Sequence, residues 1–478
     1  MTYTKQNYIN LINVFLSINC FYQIILLLFR YTSMDYKLKK FFFLIGDIIV
    51  LHVALATTLF IRYRLIDNID GISPFWRNHW FYFGGVFFIF ILVFYINNLY
   101  SLRQMASARL FVKKTISSVI IASLLSIIYF YAYPRIDITP KTNLIIFTLL
   151  SIFFFLIWRR IAYWLISSDN WQNKLAVIGY DTRIEELIKS LENRPGLGYK
   201  SVIVFKESPE LTELEASIKK DNIRLILINN NYSLKQELQE TLFKLLQHRV
   251  SFISYEDFYE QIHAKVPVES INVNWFLDNL KEGEKNYFDA LKNIFDKIFA
   301  TILFIITLPF WPIIAIIIKL DSSGGIFFTQ NRLGKNAKVF KLYKFRSMEG
   351  KNNDGGMTEK EDRRITKFGS FIRKTRIDEM PQLINILKGQ MSFIGPRPER
   401  PELAKELSLL VPFYNTRLLI KPGLSGWDQV SGEYHSPTPE DTLKKLQNDL
   451  YYIKNRSLYL DISIIFKTLN TVLGRRGR

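Results

Sequence analysis

Apolar residues are distributed along this chain in two textures. In the first third they run on with neither helical nor strand alternation. Roughly residues 41–61, 80–99, 115–133 and 144–166 each form a run long enough to cross a hydrocarbon core of about 30 Å as a helix. An earlier run, Ile9 to Phe29, is broken by Asn10, Asn13, Ser17, Asn19 and Gln23, which leaves it open between a further span and an interfacial helix. From Lys174 the texture changes to short β-type runs, LAVIGY, SVIVF, IRLILI and VSFISY, separated by helical patterns such as Arg183 to Leu191 and Glu237 to Leu246. That alternation predicts a small parallel-sheet, Rossmann-like α/β domain over 174–274. A last long apolar stretch, 296–320, is interrupted near its middle by Pro309 and Pro312, and Ile462 to Leu473 repeats apolar residues at helical spacing ahead of a basic tail, Gly474 to Arg478.

Basic residues orient these runs. Lys37, Lys39 and Lys40 precede the first confident span, Arg103, Arg109, Lys113 and Lys114 fill the second connection, and Arg159 and Arg160 mark the end of the fourth. The positive-inside rule then puts both ends of a four-helix transmembrane block, residues 1–168, in the cytoplasm. Lys292 and Lys297 before the proline-broken stretch and Lys319, Arg332, Lys335 and Lys338 after it favour one and the same face. The expectation is a re-entrant helix that enters the cytoplasmic leaflet and returns, because a straight crossing would leave a strongly basic region outside.

Composition narrows the partners. The chain has 478 residues, room for two or three domains, with 49% hydrophobic residues, a mean hydropathy of +0.08 and a formal charge of +19. Such charge suits nucleic acid, anionic lipid or phosphorylated substrates, and the apolar segments favour the last two. Cys20 is the sole cysteine and none of the five histidines lies in an H-E-x-x-H pattern, so neither a disulfide framework nor a histidine metal centre is expected. No cleavable signal peptide is expected either, since the first apolar run lacks a basic start and a small-residue cleavage site. The turn after the first predicted strand, Gly179-Tyr180-Asp181-Thr182-Arg183, lacks the G-x-G-x-x-G spacing of a dinucleotide fold, so a regulatory or packing role is expected there ahead of an unconventional nucleotide site, and the ligand of this domain, if any, is left open.

Polar chemistry is concentrated between Arg373 and Pro398. Asp378 and Glu379 precede Met380-Pro381, where a helix is expected to start and to run to Lys388 before Gly389. Alone, this reads as an acidic cap. Its surroundings point further: between Arg332 and Lys374 there are 13 Lys or Arg against 5 Asp or Glu, and Arg397 sits between two prolines. A carboxylate nucleophile, a metal-binding carboxylate and guanidinium clamps are what phosphoryl transfer requires. Gly350 to Met357 is expected to be a mobile loop.

The ordered set of motifs from Asn286 onward resembles the bacterial sugar transferase family, the monotopic polyprenyl-phosphate phosphoglycosyl transferases. It comprises Lys292 and Asp296 (K-x-x-x-D), the proline-broken helix, Gln330, Arg332 and Gly334 (Q-x-R-x-G), K-F-R-S-M at Lys344 to Met348, D-E-x-P-Q-L-x-N at Asp378 to Asn385, M-S-x-x-G-P-R-P at Met391 to Pro398, K-P-G-L-S-G-W at Lys421 to Trp427, D-L-Y-Y from Asp449, and Asp461. With the preceding spans and sheet domain it looks like a long-form member. The resemblance implies a mainly helical catalytic domain over 286–478 that transfers a sugar-1-phosphate from a UDP-sugar to undecaprenyl phosphate and releases UMP, through an aspartyl-phosphosugar intermediate. By that likeness Asp378 is the nucleophile and Glu379 holds Mg2+; Arg397 contacts substrate phosphate, with Lys344, Arg346, Arg373 and Asp461 as further binding residues, while Asp449 is left open between binding and holding the fold. A bacterial inner membrane location with cytoplasmic soluble domains, downstream glycosyltransferases as partners and a start to exopolysaccharide, capsule or O-antigen assembly are implied as well. No nucleic acid partner is expected, and homo-oligomerisation is left open.

Gly325 and Gln390 depart from the usual pattern, and Glu399 to Leu403 lacks the histidine-rich continuation associated with glucose-preferring members, so no sugar is assigned. Two alternatives stand beside this reading. A membrane-anchored nucleotide-sugar dehydratase or epimerase would need the missing glycine-rich turn and a Tyr-x-x-x-Lys pair, absent from Tyr180 to Tyr287. A non-catalytic assembly scaffold would have no need of the carboxylate pair.

Overall fold

The protein is described from a computed structural model that covers residues 36–66, 73–100, 108–132, 140–168, 171–206, 211–229, 242–246, 250–349, 362, 364–431, 436 and 438–473. The expectations for 9–29, Arg103, the loop 350–357 and the tail 474–478 lie outside the described residues. The chain divides into two compact units, Met1–Ser254 and Tyr255–Arg478.

The first unit begins with four long helices, α1 (Tyr36–Leu59, continued by a π-helical segment Phe60–Ile66), α2 (Ser73–Ile96), α3 (Ala108–Ala132) and α4 (Pro140–Ser167). Each contains a segment long and apolar enough to cross a membrane: Lys39–Tyr63, His79–Ile96, Phe111–Ala132 and Thr142–Ser167. α1 packs on α4, α4 on α3 and α3 on α2, around a core that includes Phe43, Phe83, Phe90, Phe94, Phe147 and Phe155. An ion pair crosses this core: Arg159 Nη2 donates to Asp47 Oδ2 at 2.6 Å, Trp158 Nε1 donates to Asp47 Oδ1 at 2.9 Å, and the Arg159 guanidinium lies 5.2 Å from the Phe111 ring centre. Either charge alone would be costly at that depth, so pairing, hydrogen bonding and ring contacts are what make both tolerable.

The four strands that follow, β1 (Asn173–Ile178), β2 (Tyr199–Phe205), β3 (Leu225–Ile228) and β4 (Ser251–Ser254), form a parallel sheet in the order β2-β1-β3-β4. Leu175 pairs with Ser201 on one side and with Leu225 on the other. The crossovers contain α5 (Thr182–Glu192) and α6 (Leu211–Asp221), and Leu214 and Ile218 of α6 pack against Ala176, Ile178 and Ile226 of the sheet. Parallel strands need such crossovers, which is why the hydrophobic period alternates between strand and helix here.

The sheet unit ends at Ser254, whereas the sequence pattern carries that domain to 274. Residues 255–274 belong to the second unit because their apolar side chains are buried there. Val266, Val268 and Ile271 share a core with Leu446, Leu450 and Ile453, the Val266 amide donates to Gln447 O at 3.1 Å, and Trp427 Nε1 donates to Ala264 O at 3.0 Å.

After α7 (Tyr255–His263) and α8 (Val273–Asn279), the second unit contains the proline-interrupted segment. It consists of α9 (Asn286–Thr307), a 3₁₀ turn Leu308–Phe310 and α10 (Trp311–Asp321). Pro309 has no amide proton and its ring crowds the preceding turn, so the α-helical ladder is interrupted where the sequence predicts a break. Most of this segment presents exposed apolar side chains, including Ile298, Ile302, Ile306, Ile313, Ile316 and Leu320. An apolar face of that extent marks a membrane-associated protein. Its inner face is narrow: Ala300 packs with Phe340, Leu342, Leu383, Ile386 and Met391, and Trp311 lies 5.3 Å from both the Phe304 and Phe345 rings.

Those contacts bind the apolar segment to a hairpin, β5 (Phe327–Leu333) and β6 (Val339–Phe345), and to α11 (Lys367–Lys374) and α12 (Gln382–Leu387). The rest of the unit comprises β7 (Ser392–Ile394), α13 (Pro401–Leu410), β8 (Gly423–Ser425), α14 (Trp427–Val430), α15 (Pro439–Asn455) and α16 (Leu458–Leu473). β7 and β8 pair in parallel, Ser392 with Gly423 and Ile394 with Ser425. The pairing is close enough that a Cβ on Gly423 would lie 2.1 Å from the Gly395 nitrogen, which accounts for glycine at both positions.

Candidate active site

Asp378 and Glu379 do not cap a helix. They lie in a separate 3₁₀ turn, Ile377–Glu379, one turn before α12, whose start has no side-chain cap. The turn is launched by Arg376 in the left-handed region at φ 61°, a conformation that costs a non-glycine residue on the order of 1 kcal/mol and reverses the chain at the end of α11. Asn385 then fixes the far side of the turn: its Nδ2 donates to Lys341 O at 2.7 Å and its Oδ1 accepts from the Tyr343 amide at 3.2 Å, tying α12 to β6. Asn385 is fully buried, and an amide on the apolar side of a short helix was the one sequence signal for this tie.

Both carboxylates are buried, yet their surroundings differ. Glu379 Oε1 accepts from Lys344 Nζ at 2.8 Å and lies 3.8 Å from Arg397 Nη2, while Oε2 is 3.6 Å from Arg376 Nη1. Burial pushes Glu379 up, but Lys344, Arg397 and Arg376 together outweigh it and hold the carboxyl at about 2. Asp378 has no such clamp, and its Oδ1 has no hydrogen-bond partner among the described residues. Burial, reinforced by the neighbouring Glu379 charge, pushes Asp378 up to about 6 against the pull of Lys344, Arg376 and Arg373. The site therefore holds one permanently ionised carboxylate and one desolvated carboxylate that ionises near neutrality. A buried, unpartnered carboxylate oxygen surrounded by cations is the arrangement expected of an anionic nucleophile.

Of the residues singled out from sequence, the structure brings Lys344, Arg397 and Glu379 together beside Asp378, and places Arg373 in the last turn of α11 with its charge acting on Asp378. Two take other positions. Arg346, expected at substrate phosphate, turns toward the carboxyl end of α10, where its Nη2 donates to Ser322 O at 2.6 Å. It follows β6 directly and satisfies carbonyls that the end of α10 leaves over. Asp461, also expected at substrate, pairs with Lys292 and accepts from Tyr452 Oη at 2.6 Å, tying α16 to α9 and α15. Asp449 pairs with Arg417 at 2.9 Å beneath the Pro396-Arg397-Pro398 turn.

No group of three or more His, Cys, Asp or Glu able to hold a metal converges among the described residues. A magnesium ion that arrives with substrate phosphates needs only one or two protein carboxylates and keeps its waters, so a single buried carboxylate such as Glu379 is compatible with it.

The family described as Bacterial sugar transferase matches residues 287–475, and that described as CoA-binding domain matches residues 95–248. The UDP-glucose:undecaprenyl-phosphate glucose-1-phosphate transferase of Xanthomonas campestris pv. campestris is 32% identical over 326 residues, 63% of this chain and 67% of the relative. That of Escherichia coli K12 is 30% identical over 324 residues, 64% and 69% respectively. The chain belongs to the bacterial sugar transferase family. The UDP-N-acetylgalactosamine-undecaprenyl-phosphate N-acetylgalactosaminephosphotransferase of Aeromonas hydrophila is 40% identical over 219 residues, 44% of this chain, and the chain spans about half of that relative, 52%.

The site of this bacterial sugar transferase lies within the residues matched by the family description. The CoA-binding description spans α3, α4 and the sheet as far as β3, with the turn after β1 inside it. There Asp181 occupies the start of α5: its Oδ1 accepts from the Ile184 amide at 2.9 Å and its Oδ2 from Arg183 Nη2 at 2.6 Å and Asn229 Nδ2 at 3.1 Å.

Proposed function

We propose that this bacterial sugar transferase moves a sugar-1-phosphate from a UDP-sugar to undecaprenyl phosphate and releases UMP, in two displacements at Asp378. In the first, an Asp378 carboxylate oxygen attacks the phosphorus that bears the sugar, the bond to the bridging oxygen breaks, and UMP departs with that oxygen. In the second, an oxygen of the lipid phosphate attacks the same phosphorus and the Asp378 carboxylate leaves, so one diphosphate linkage replaces another. Neither displacement needs a strong base, only an ionised carboxylate and positive charge around the phosphoryl oxygens. The observation that carries this reading is the division between the two carboxylates: Asp378 with a bare Oδ1 and a value of about 6, Glu379 clamped by three cations at about 2.

Lys344, Arg373 and Arg397 supply charge to the donor's phosphates in this reading, and Glu379 keeps Lys344 and Arg397 oriented. Glu379 is also the residue that would hold Mg2+, which supplies Lewis-acid stabilisation to the diphosphate when bound. The apolar face of α9 and α10 enters the cytoplasmic leaflet and returns, which keeps Asp378 at the interface where a lipid phosphate and a soluble nucleotide sugar meet. The four helices α1 to α4 cross a bacterial inner membrane with both ends in the cytoplasm. Sugars named for the relatives differ, N-acetylgalactosamine in one and glucose in others, so the donor is read by assay. The detergent-solubilised protein is incubated with individual UDP-sugars, Mg2+ and undecaprenyl phosphate. UMP release from at least one donor is expected in the unaltered protein and none from Asp378→Ala; equal release by both overturns the proposal.

A further inference from the structure

The turn that presents Arg397 is held from beneath by a buried network. Two prolines, Pro396 and Pro398, limit its backbone, and each carbonyl from Pro396 to Glu399 accepts a hydrogen bond. Gly423 N donates to Pro396 O at 2.9 Å, Arg417 Nη2 to Arg397 O at 3.0 Å, Arg332 Nη1 to Pro398 O at 3.0 Å, and Leu333 N to Glu399 O at 2.9 Å. Two of the four donors are guanidinium groups. Arg417 is the more deeply buried of the two, with its side chain 4% exposed.

Arg417 is itself fixed on every side. It lies in the 3₁₀ segment Tyr414–Leu419; its Nη1 donates to Tyr414 Oη at 2.9 Å and lies 3.8 Å from Glu399 Oε1, and its Nη2 lies 2.9 Å from Asp449 Oδ2 on α15. Lys445, also on α15, pairs with Glu399. Asp449 thus anchors Arg417, and Arg417 anchors the carbonyl of the residue whose side chain reaches Glu379. A buried ion pair of this kind is weak evidence for stability, because an apolar replacement is often as stable. What it provides is direction: Nη2 donates to the Arg397 carbonyl while lying in ion-pair range of Asp449, Nη1 donates to Tyr414, and a planar guanidinium holds those donors in a fixed relation.

We propose that Arg417, set by Asp449, is a positioning residue for the transfer reaction: it fixes the backbone of the Arg397 turn so that the Arg397 guanidinium stays aimed at the carboxylate pair and the donor's phosphates. Arg417 touches neither substrate nor Asp378 and acts through Arg397. This rests on the reaction proposed above.

The test is a double-mutant cycle in the full-length protein, with kcat/KM for the UDP-sugar read by UMP release. Arg417→Lys keeps the charge and loses the fork. In the unaltered background it is expected to lower kcat/KM by roughly 10- to 100-fold, the scale of a displacement of about 1 Å at a reacting group. In the Arg397→Ala background the same substitution is expected to change kcat/KM by less than about twofold, since the residue it acts through is gone. An equal fold loss in both backgrounds overturns the positioning role while the reaction stands; absence of UMP from the unaltered protein with every donor overturns both. Should Arg417→Lys fail to give a folded, monodisperse protein, Asp449→Asn is taken through the same cycle and judged by the same two outcomes.

Discussion

Lys344 is the group on which the division of labour between the two carboxylates depends. Its Nζ is 2.8 Å from Glu379 Oε1, and its charge is the strongest counterweight to burial at both Asp378 and Glu379. Lys344→Met removes that charge and keeps an unbranched apolar stem. Arg376 and Arg397, 3.6 and 3.8 Å from Glu379, remain and keep Glu379 ionised, so the repulsion it exerts on Asp378 persists. Loss of one nearby opposite charge raises a carboxyl by about 1–3 units. Asp378 then moves from about 6 to roughly 7–9. The ionised fraction at pH 7 falls from about nine tenths to between about one half and about one hundredth, a loss of roughly 2- to 100-fold in any rate that needs the carboxylate. The assay is UMP release across pH 5 to 9.5, plotted as kcat/KM for the donor, which reports the ionisations of free enzyme and donor. The acid limb is expected near pH 6 in the unaltered protein and at least one unit higher in Lys344→Met, with much of the loss recovered at high pH. A limb that stays near pH 6 while the rate falls equally at every pH would refute the reasoning and leave Lys344 as a substrate contact alone.

The raised Asp378 value also predicts a trade between activity and stability. Because the folded value of about 6 lies above the ordinary 3.8, the favourable neutral form dominates below the unfolded value and is lost as pH rises through 6. Asp378→Asn is therefore expected to stabilise the second unit at pH 8 by on the order of 3 kcal/mol, and by about half that at pH 5, while UMP release is abolished; melting temperatures at the two pH values check it. Gly324 has φ +124°, and a Cβ there would lie 2.3 Å from Arg346 Nη1. Gly324→Ala is expected to displace the Arg346 guanidinium from the end of α10 and to lower stability by roughly 1–3 kcal/mol, read as a lowered midpoint in a denaturant titration. If the midpoint holds, Arg346 is not fixing β6 to α10.

What could be read from sequence follows from how local the responsible physics is. The four long helices were legible because a span is announced by its own residues, and the break at Pro309 because proline acts on its own turn. Asp378 and Glu379 were legible as chemistry but not as geometry. Their 3₁₀ turn depends on Arg376 adopting a left-handed conformation, which no propensity assigns to arginine. The pairing of Lys344 with Glu379 joins positions 35 residues apart, and that of Arg417 with Asp449 joins two elements packed only in the tertiary fold. Arg346 and Asp461 show the converse: each was legible as a charged residue in a motif, but its contacts within the protein, at the end of α10 for one and among α9, α15 and α16 for the other, appear only in the fold. The unit boundary at Ser254 was missed because residues 255–274 carry an ordinary soluble pattern, and only their burial against α15 assigns them.

The central claim is that Asp378 itself becomes covalently phosphorylated by the donor. The most direct measurement is the amount of UMP released per protein molecule when the lipid phosphate is left out, by rapid quench with excess UDP-sugar and Mg2+. The account predicts a burst that approaches one UMP per protein and is absent in Asp378→Asn. No UMP until the lipid phosphate is added would mean direct displacement by the acceptor, and would contradict it.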